Sequence, residues 1–171
     1  MYDPAVQRRH LLIILISLAA IVLHELTLVP NDIERLTNRQ TTLTFIEGII
    51  DVAELILLIA SIALLIRWAM LGWIIAALIT AYNVVVWTFA IVFLLRYGTE
   101  VLYSNLMIIE IPSAIALYCL RKSSVLALFR VNKARAIAVL IIGLLSGIAM
   151  CSLIMLEPYM RYNRYKAASV K

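Results

Sequence analysis

The residues with the clearest capacity for chemistry are three carboxylic acids inside an otherwise apolar run, FIEGIIDVAELILLIASIALLI, which begins at Phe45. At 100° per residue, Asp51 lies about 40° from Glu47 around a helix, and Glu54 lies about 20° away on its other side. Glu47, Asp51 and Glu54 therefore share one narrow stripe, with Ser61 further along it. Carboxylates gathered on one face suit two kinds of chemistry. They can ligate a hard cation, or they can exchange protons, because crowded carboxyls alter one another's ionisation. An apolar run of this length is long enough to cross a bilayer, and ionisable groups at that depth face a bundle interior, a cavity or a partner.

Other residues join the stripe through the threading of the chain. His24 and Glu25 sit near the end of the first apolar run, the end from which the second departs, and Glu110 lies midway along a later one. His24, Glu25, Asp51 and Glu54 are expected at similar depth, with Glu110 approaching from the fourth helix. Carboxylates plus one imidazole are suitable ligands for a divalent ion, so Asp51, Glu54 and His24 are the candidate metal ligands. Each residue also has a structural role to weigh. Glu47 completes a Thr44-x-x-Glu47 capping box. His24 and Glu25 are near enough to an interface to reach it. Asp51 and Glu54 lie about 9 and 13 Å along the helix from Phe45, too deep for short side chains to reach water. Their structural alternative is pairing with Arg96, Tyr82, Asn83 or Tyr103, or with an arginine of a partner subunit. Glu110 precedes Pro112 and Ser113, a pattern of interrupted membrane helices that bind ions, although proline also produces simple kinks.

Missing motifs narrow the function further. His24-Glu25-Leu-Thr-Leu28 opens like the zinc-protease motif but has Leu28 where the second histidine must stand. No phosphate-binding loop, dinucleotide fingerprint or nucleophile elbow occurs, which disfavours an enzyme. No cofactor is specified. Cys119 and Cys151 lack metal-type spacing and are expected as free thiols toward opposite faces. The net charge of +5 points to anionic lipid headgroups, with no nucleic-acid motif present.

The elements that must position these residues are helices in a bilayer. Hydrophobic residues make up 64% of the 171-residue chain and charged residues 15%, with no strand-period alternation, so the expected fold is an all-α integral membrane protein. One polytopic domain of about five transmembrane helices is expected, over residues 11–29, 45–66, 71–95, 100–120 and 136–156. Pro30 should end the first helix, and Gly98-Thr99-Glu100 should form a turn. Residues 121–135, with Val125, Leu128 and Phe129 on one face, read as a basic amphipathic segment on the membrane surface. Gly143 and Gly147 have the spacing that admits a close helix neighbour. The tail after Leu156 is aromatic and basic, and then frayed.

Five spans put the termini on opposite sides. Arg8, Arg9, Arg67, Arg121, Lys122, Arg130, Lys133 and Arg135 then share the side of the N-terminus, whereas Arg35, Arg39 and Arg96 precede the tail on the other. Omitting the tail, this makes the N-terminal side cytoplasmic, in a plasma (inner) membrane. Nearly all the acids fall in the opposite half. Two functions follow. The first is a membrane protein binding a cation, proton or small polar solute at this acidic site. The second is a non-catalytic accessory or scaffold subunit, with acids pairing to a membrane-protein partner or a second copy and the small face of the last helix docking.

Overall fold

The computed structural model describes residues 3–38, 42–97 and 103–168, and they are helical apart from short turns, with no strand among them. The order is α1 Pro4–Asn38, α2 Thr42–Ile66, α3 Met70–Tyr97, α4 Tyr103–Leu120, the short α5 Ser123–Leu128, and α6 Lys133–Ala168. Four stretches are long and apolar enough to cross a membrane: Pro4–Pro30, Gly48–Ile66, Met70–Val92 and Lys133–Leu153. In α4 the corresponding apolar stretch, Ile108–Leu120, is shorter.

Helices α1 to α4 close a ring, each packed on the next and α4 back on α1, while α6 packs on the outside of α3. The ring follows from the spacing of interior residues. Leu11, Ile14, Leu18 and Ile21 of α1, Leu58, Ser61 and Leu65 of α2, and Ile109, Ser113, Ala116 and Leu120 of α4 are all buried. Their intervals of three and four residues place each set on one helical face. The α3 helix is buried on several sides, as its contacts with three neighbours require, through Trp73, Ala76, Ala77, Thr80, Ala81 and Asn83. Outward positions are apolar instead of charged. Leu12, Ile16 and Leu23 on α1, and Ile137, Ile141, Leu145 and Ile148 on α6, are all exposed. A surface of this kind is solvated by hydrocarbon better than by water.

The N-terminal end of the ring is closed by more specific contacts. Trp73 Nε1 donates to the Leu120 carbonyl at 3.1 Å, joining α3 to α4. Gln7 Nε2 donates to the Ser124 carbonyl at 3.2 Å, and Ser124 Oγ lies 3.4 Å from His10 Nδ1, joining α1 to α5. The apolar face of segment 121–135 packs on the bundle itself. Val125 and Phe129 are almost fully buried and belong to the same core as α1, α3 and α4. The apolar face expected to meet lipid finds the open end of the ring and plugs it. The cations Arg8, Arg9, Arg67, Arg121, Arg130, Lys133 and Arg135 stay exposed around this end.

Two helices stop by the same backbone device. Trp68 and Arg130 adopt left-handed conformations, with φ of 57° and 53°. The next amide bonds five residues back in each case, Ala69 to Leu64 at 2.9 Å and Val131 to Leu126 at 2.9 Å. Trp68 N–H and Arg130 N–H reach the carbonyls of Leu65 and Ala127. These are Schellman caps built without the usual glycine, and they turn the chain within a few residues.

Several boundaries differ from expectation. The α1 helix continues through Pro30 to Asn38, so the proline does not end it. Proline removes one intrahelical donor, but adding residues to an existing helix needs no new nucleus. The same reason accounts for α6, whose backbone is helical beyond Leu156 to Ala168 where fraying was expected. The α2 helix begins at Thr42, so Thr44 stands within the first turn and not at a cap position. The side chains of Thr44 and Glu47, the Gly98-Thr99-Glu100 turn, and the side chains of Arg96 and Tyr103 lie outside the described residues.

The small face of α6 is occupied within the chain. A Cβ added at Gly143 would lie 2.8 Å from the Leu78 carbonyl oxygen and Ala81 Cβ, and one at Gly147 would lie 2.8 Å from Val85 Cβ. Together with Arg135 Nη1 against Met70 Sδ at 3.0 Å, these pairs run in the same sense, so α6 is parallel to α3. That face is thus not free to dock a partner. Gly147→Leu should lower stability by about 1–3 kcal/mol through overpacking, read by thermal unfolding of the purified protein. Phe129→Ala should cost about 3–5 kcal/mol if the α5 region is a core plug. A loss near zero would return that segment to a surface role.

Candidate functional site

The α2 stripe enters the ring as the spacing requires. Leu58, Ser61 and Leu65 are fully buried, and Glu54 continues the same series one turn earlier. The Ser61 hydroxyl donates to the Leu58 carbonyl of its own helix at 2.8 Å. Glu54 instead reaches across to α3, where Asn83 Nδ2 donates to Glu54 Oε1 at 2.7 Å. Asn83 is 1% exposed, so a neutral amide held rigidly in the core orients the carboxyl.

Glu54 stands where two faces of α2 meet. One face is the interior stripe; the other, carrying Ile50, Ala53 and Leu57, borders a groove of about 350 Å³. Leu78, Ile79 and Tyr82 of α3 form its floor, and Ile142 and Ser146 of α6 form the far wall. The groove exists because α2 and α6 both pack on α3. Its rim is open to the surroundings of the bundle, with Leu57 44% and Ile142 58% exposed. Apart from Glu54, Tyr82 and Ser146 the lining is hydrocarbon. The arrangement places Glu54, its carboxyl turned to Asn83, beside an apolar slot.

Of the other candidates, Glu110 is bound to a different neighbour. Thr88 Oγ1 of α3 donates to Glu110 Oε1 at 3.0 Å. Thr88 lies five residues beyond Asn83, about 140° around α3, so Glu110 meets a different side of that helix from Glu54. Glu25 is 7% exposed, on the interior stripe of α1. His24 is half-buried, and its carbonyl accepts the Thr27 hydroxyl at 2.6 Å. Asp51 is half-buried one turn before Glu54 and makes interactions of its own. Among the described residues, no three His, Cys, Asp or Glu side chains come together so as to hold a metal ion. Cys119 and Cys151 are free and buried.

Asn83 and Tyr82 were recognisable from sequence as polar residues within an apolar helix. Ser146 and Thr88 were not, because neither small hydroxyl disturbs a hydrophobic period. Ser113 is fully buried, and its hydroxyl has no hydrogen-bond partner among the described residues. It follows Pro112 directly, inside α4.

No family model matches this chain, and no curated protein or solved structure matches it either.

The Glu54–Asn83 bond should be measurable as a coupling. Asn83→Leu and Glu54→Leu singly, compared with the double variant, should give an interaction of about 0.6–1.7 kcal/mol in unfolding experiments, the range for polar pairs between membrane helices. Strictly additive losses would show that the pair contributes nothing to α2–α3 packing.

Proposed function

We propose that this protein is embedded in a bilayer, with α4 as a fifth span, and binds a proton or a cationic solute at Glu54. The observation that carries this reading is Glu54, whose carboxyl is held by Asn83 at 2.7 Å and whose side chain lines an open apolar groove. A carboxyl placed there only for packing would be served as well by a sealed core. Asp51, one turn away, adds negative potential along the same helix and would strengthen attraction for a positive group. Glu110 bonds Thr88 instead, and in this reading His24, Glu25 and Glu110 act on helix packing or on approach to the site.

The exposed basic residues around the N-terminal end support an orientation with that end in the cytoplasm, against the anionic leaflet of the plasma (inner) membrane. The acids then lie toward the external half. An accessory role for the chain loses one of its supports, because the small face of α6 is covered by α3.

A lipophilic carbodiimide, which enters apolar regions and modifies carboxyl groups there, tests the site. Membranes containing the protein should acquire a carbodiimide adduct at Glu54, found by peptide mass analysis and absent in Glu54→Gln. Labelling confined to other acids, with Glu54 unmodified in folded protein, would remove the basis for this function.

A further inference from the structure

At the basic end of the bundle, α2, α3 and α6 meet in one corner. Arg67 and Trp68 lie in the turn from α2 to α3, and Arg135 lies in the first turn of α6. Arg135 Nη1 donates to Met70 Sδ at 3.0 Å, tying the start of α6 to the start of α3. Met70 is three residues beyond Arg67, so their Cα atoms lie within about 11 Å of each other. Arg67, Trp68 and Arg135 are all exposed. Sulfur is a weak acceptor and a guanidinium carries five N–H donors, so Arg135 keeps most of its hydrogen-bonding capacity. The acids of these helices stand far off. Glu54 lies thirteen residues before Arg67, about 20 Å along α2, and Glu157 lies twenty-two residues after Arg135, about 33 Å along α6. Between Met70 and Tyr97, α3 carries no acid.

From this corner the apolar groove continues along the bundle. Ile142 and Ser146 follow Arg135 by seven and eleven residues, each about 20° around α6 from it, so the three share one face. Ile142 and Ser146 line the groove, together with Leu57 of α2 and Leu78 and Ile79 of α3. Glu54 borders it with its carboxyl turned to Asn83. The groove begins seven residues from Arg135, eight from Met70 and ten from Arg67, about 10, 12 and 15 Å along the respective helices. One leaflet of hydrocarbon is about 15 Å deep, half the thickness of a bilayer core. With the corner at the headgroups, the groove thus lies at the depth of acyl tails. Trp68, 48% exposed, is a residue type that settles at that boundary.

Resting on the reading of the bundle as embedded in a bilayer, we propose that this corner binds an anionic phospholipid. The phosphate meets Arg67 and Arg135, the headgroup lies against Trp68, and one acyl tail occupies the groove. Guanidinium groups suit this role because their forked N–H donors match phosphate oxygens. Charge complementarity selects an anionic lipid over a zwitterionic one, whose own cation would stand among the arginines. The tail adds apolar contact along Leu57 and Ile142, which a phosphate alone cannot make. The site needs the bilayer and not an occupied Glu54.

The test is native mass spectrometry of the full chain in detergent, with phosphatidylglycerol and phosphatidylcholine of matched tails in equal amounts. Phosphatidylglycerol should be retained in preference, as a single adduct. Arg67→Gln and Arg135→Gln should each lower that preference about fivefold, the effect of one cation at a membrane surface. Arg8→Gln combined with Arg9→Gln removes two cations from α1 and should leave the preference unchanged. Ile142→Trp, which fills the groove from its exposed rim, should weaken retention of phosphatidylglycerol. Glycerol 3-phosphate, which has the phosphate without tails, should not compete. Equal retention of the two lipids would overturn the proposal. So would an equal loss in the Arg8 and Arg9 variant, which means attraction to the basic end as a whole. Competition by glycerol 3-phosphate, or retention unchanged by Ile142→Trp, would overturn it by removing the tail from the groove. Each of these leaves the bilayer reading standing; a chain that stays folded and monodisperse in water without detergent or lipid would remove that reading too.

Discussion

A carboxyl group in the middle of an apolar helix has to be given a hydrogen bond, and that requirement sets how α2 lies against α3. Leaving such a group without a partner in low-dielectric surroundings would cost several kcal/mol, on the order of the marginal stability of a whole domain. Asn83 supplies the bond at 2.7 Å. Because a hydrogen bond tolerates only a few tenths of an ångström, it fixes the register of the two helices more sharply than leucine packing can. With that register set, Leu58 and Leu65 fall in line with the buried residues of α1 and α4, and the ring closes around one core.

The two ends of the ring are built on different chemistry. At the N-terminal end, Trp73 and Phe129 are the bulkiest of the fully buried side chains, and the α5 plug covers the core. Large aromatic burial of this kind dominates core energetics. Toward the other end the contacts between helices are polar pairs, Asn83 with Glu54 and Thr88 with Glu110. Helix α6 is attached chiefly to α3, through glycines that bring the two backbones close together. Close approach to α3 leaves α6 and α2 as separate walls, and the groove is the space that neither fills.

Much of this was readable in the sequence, because it follows from period and burial cost. The spacing of Asp51 and Glu54 with Ser61 placed one face of α2 toward the interior, and the Gly143–Gly147 spacing announced a close neighbour. What sequence could not supply was which helix meets which. Glu110 was expected to join the acidic stripe, but on α4 it meets the Thr88 side of α3, and helical depth says nothing about angle around the ring. Segment 121–135 carries the same amphipathic pattern whether its apolar face meets lipid or a core left open. Only the ring shows that the core was open. Pro30 misled for a different reason: its penalty is local, whereas continuation of a helix is cooperative and favours whatever follows an established nucleus.

The same reasoning explains why the candidate site is small. The apolar stretches Gly48–Ile66 and Met70–Val92 contain no lysine or arginine, so an acid there depends on a neutral donor or on a neighbouring helix. Glu110 meets the hydroxyl of Thr88, and Glu25 is enclosed on the interior stripe of α1. Glu54 combines a fixed neutral donor with a place on an open groove. A neutral donor satisfies the geometry of the carboxyl, and the proposal that Glu54 also receives a proton or a cation rests on its place beside the groove.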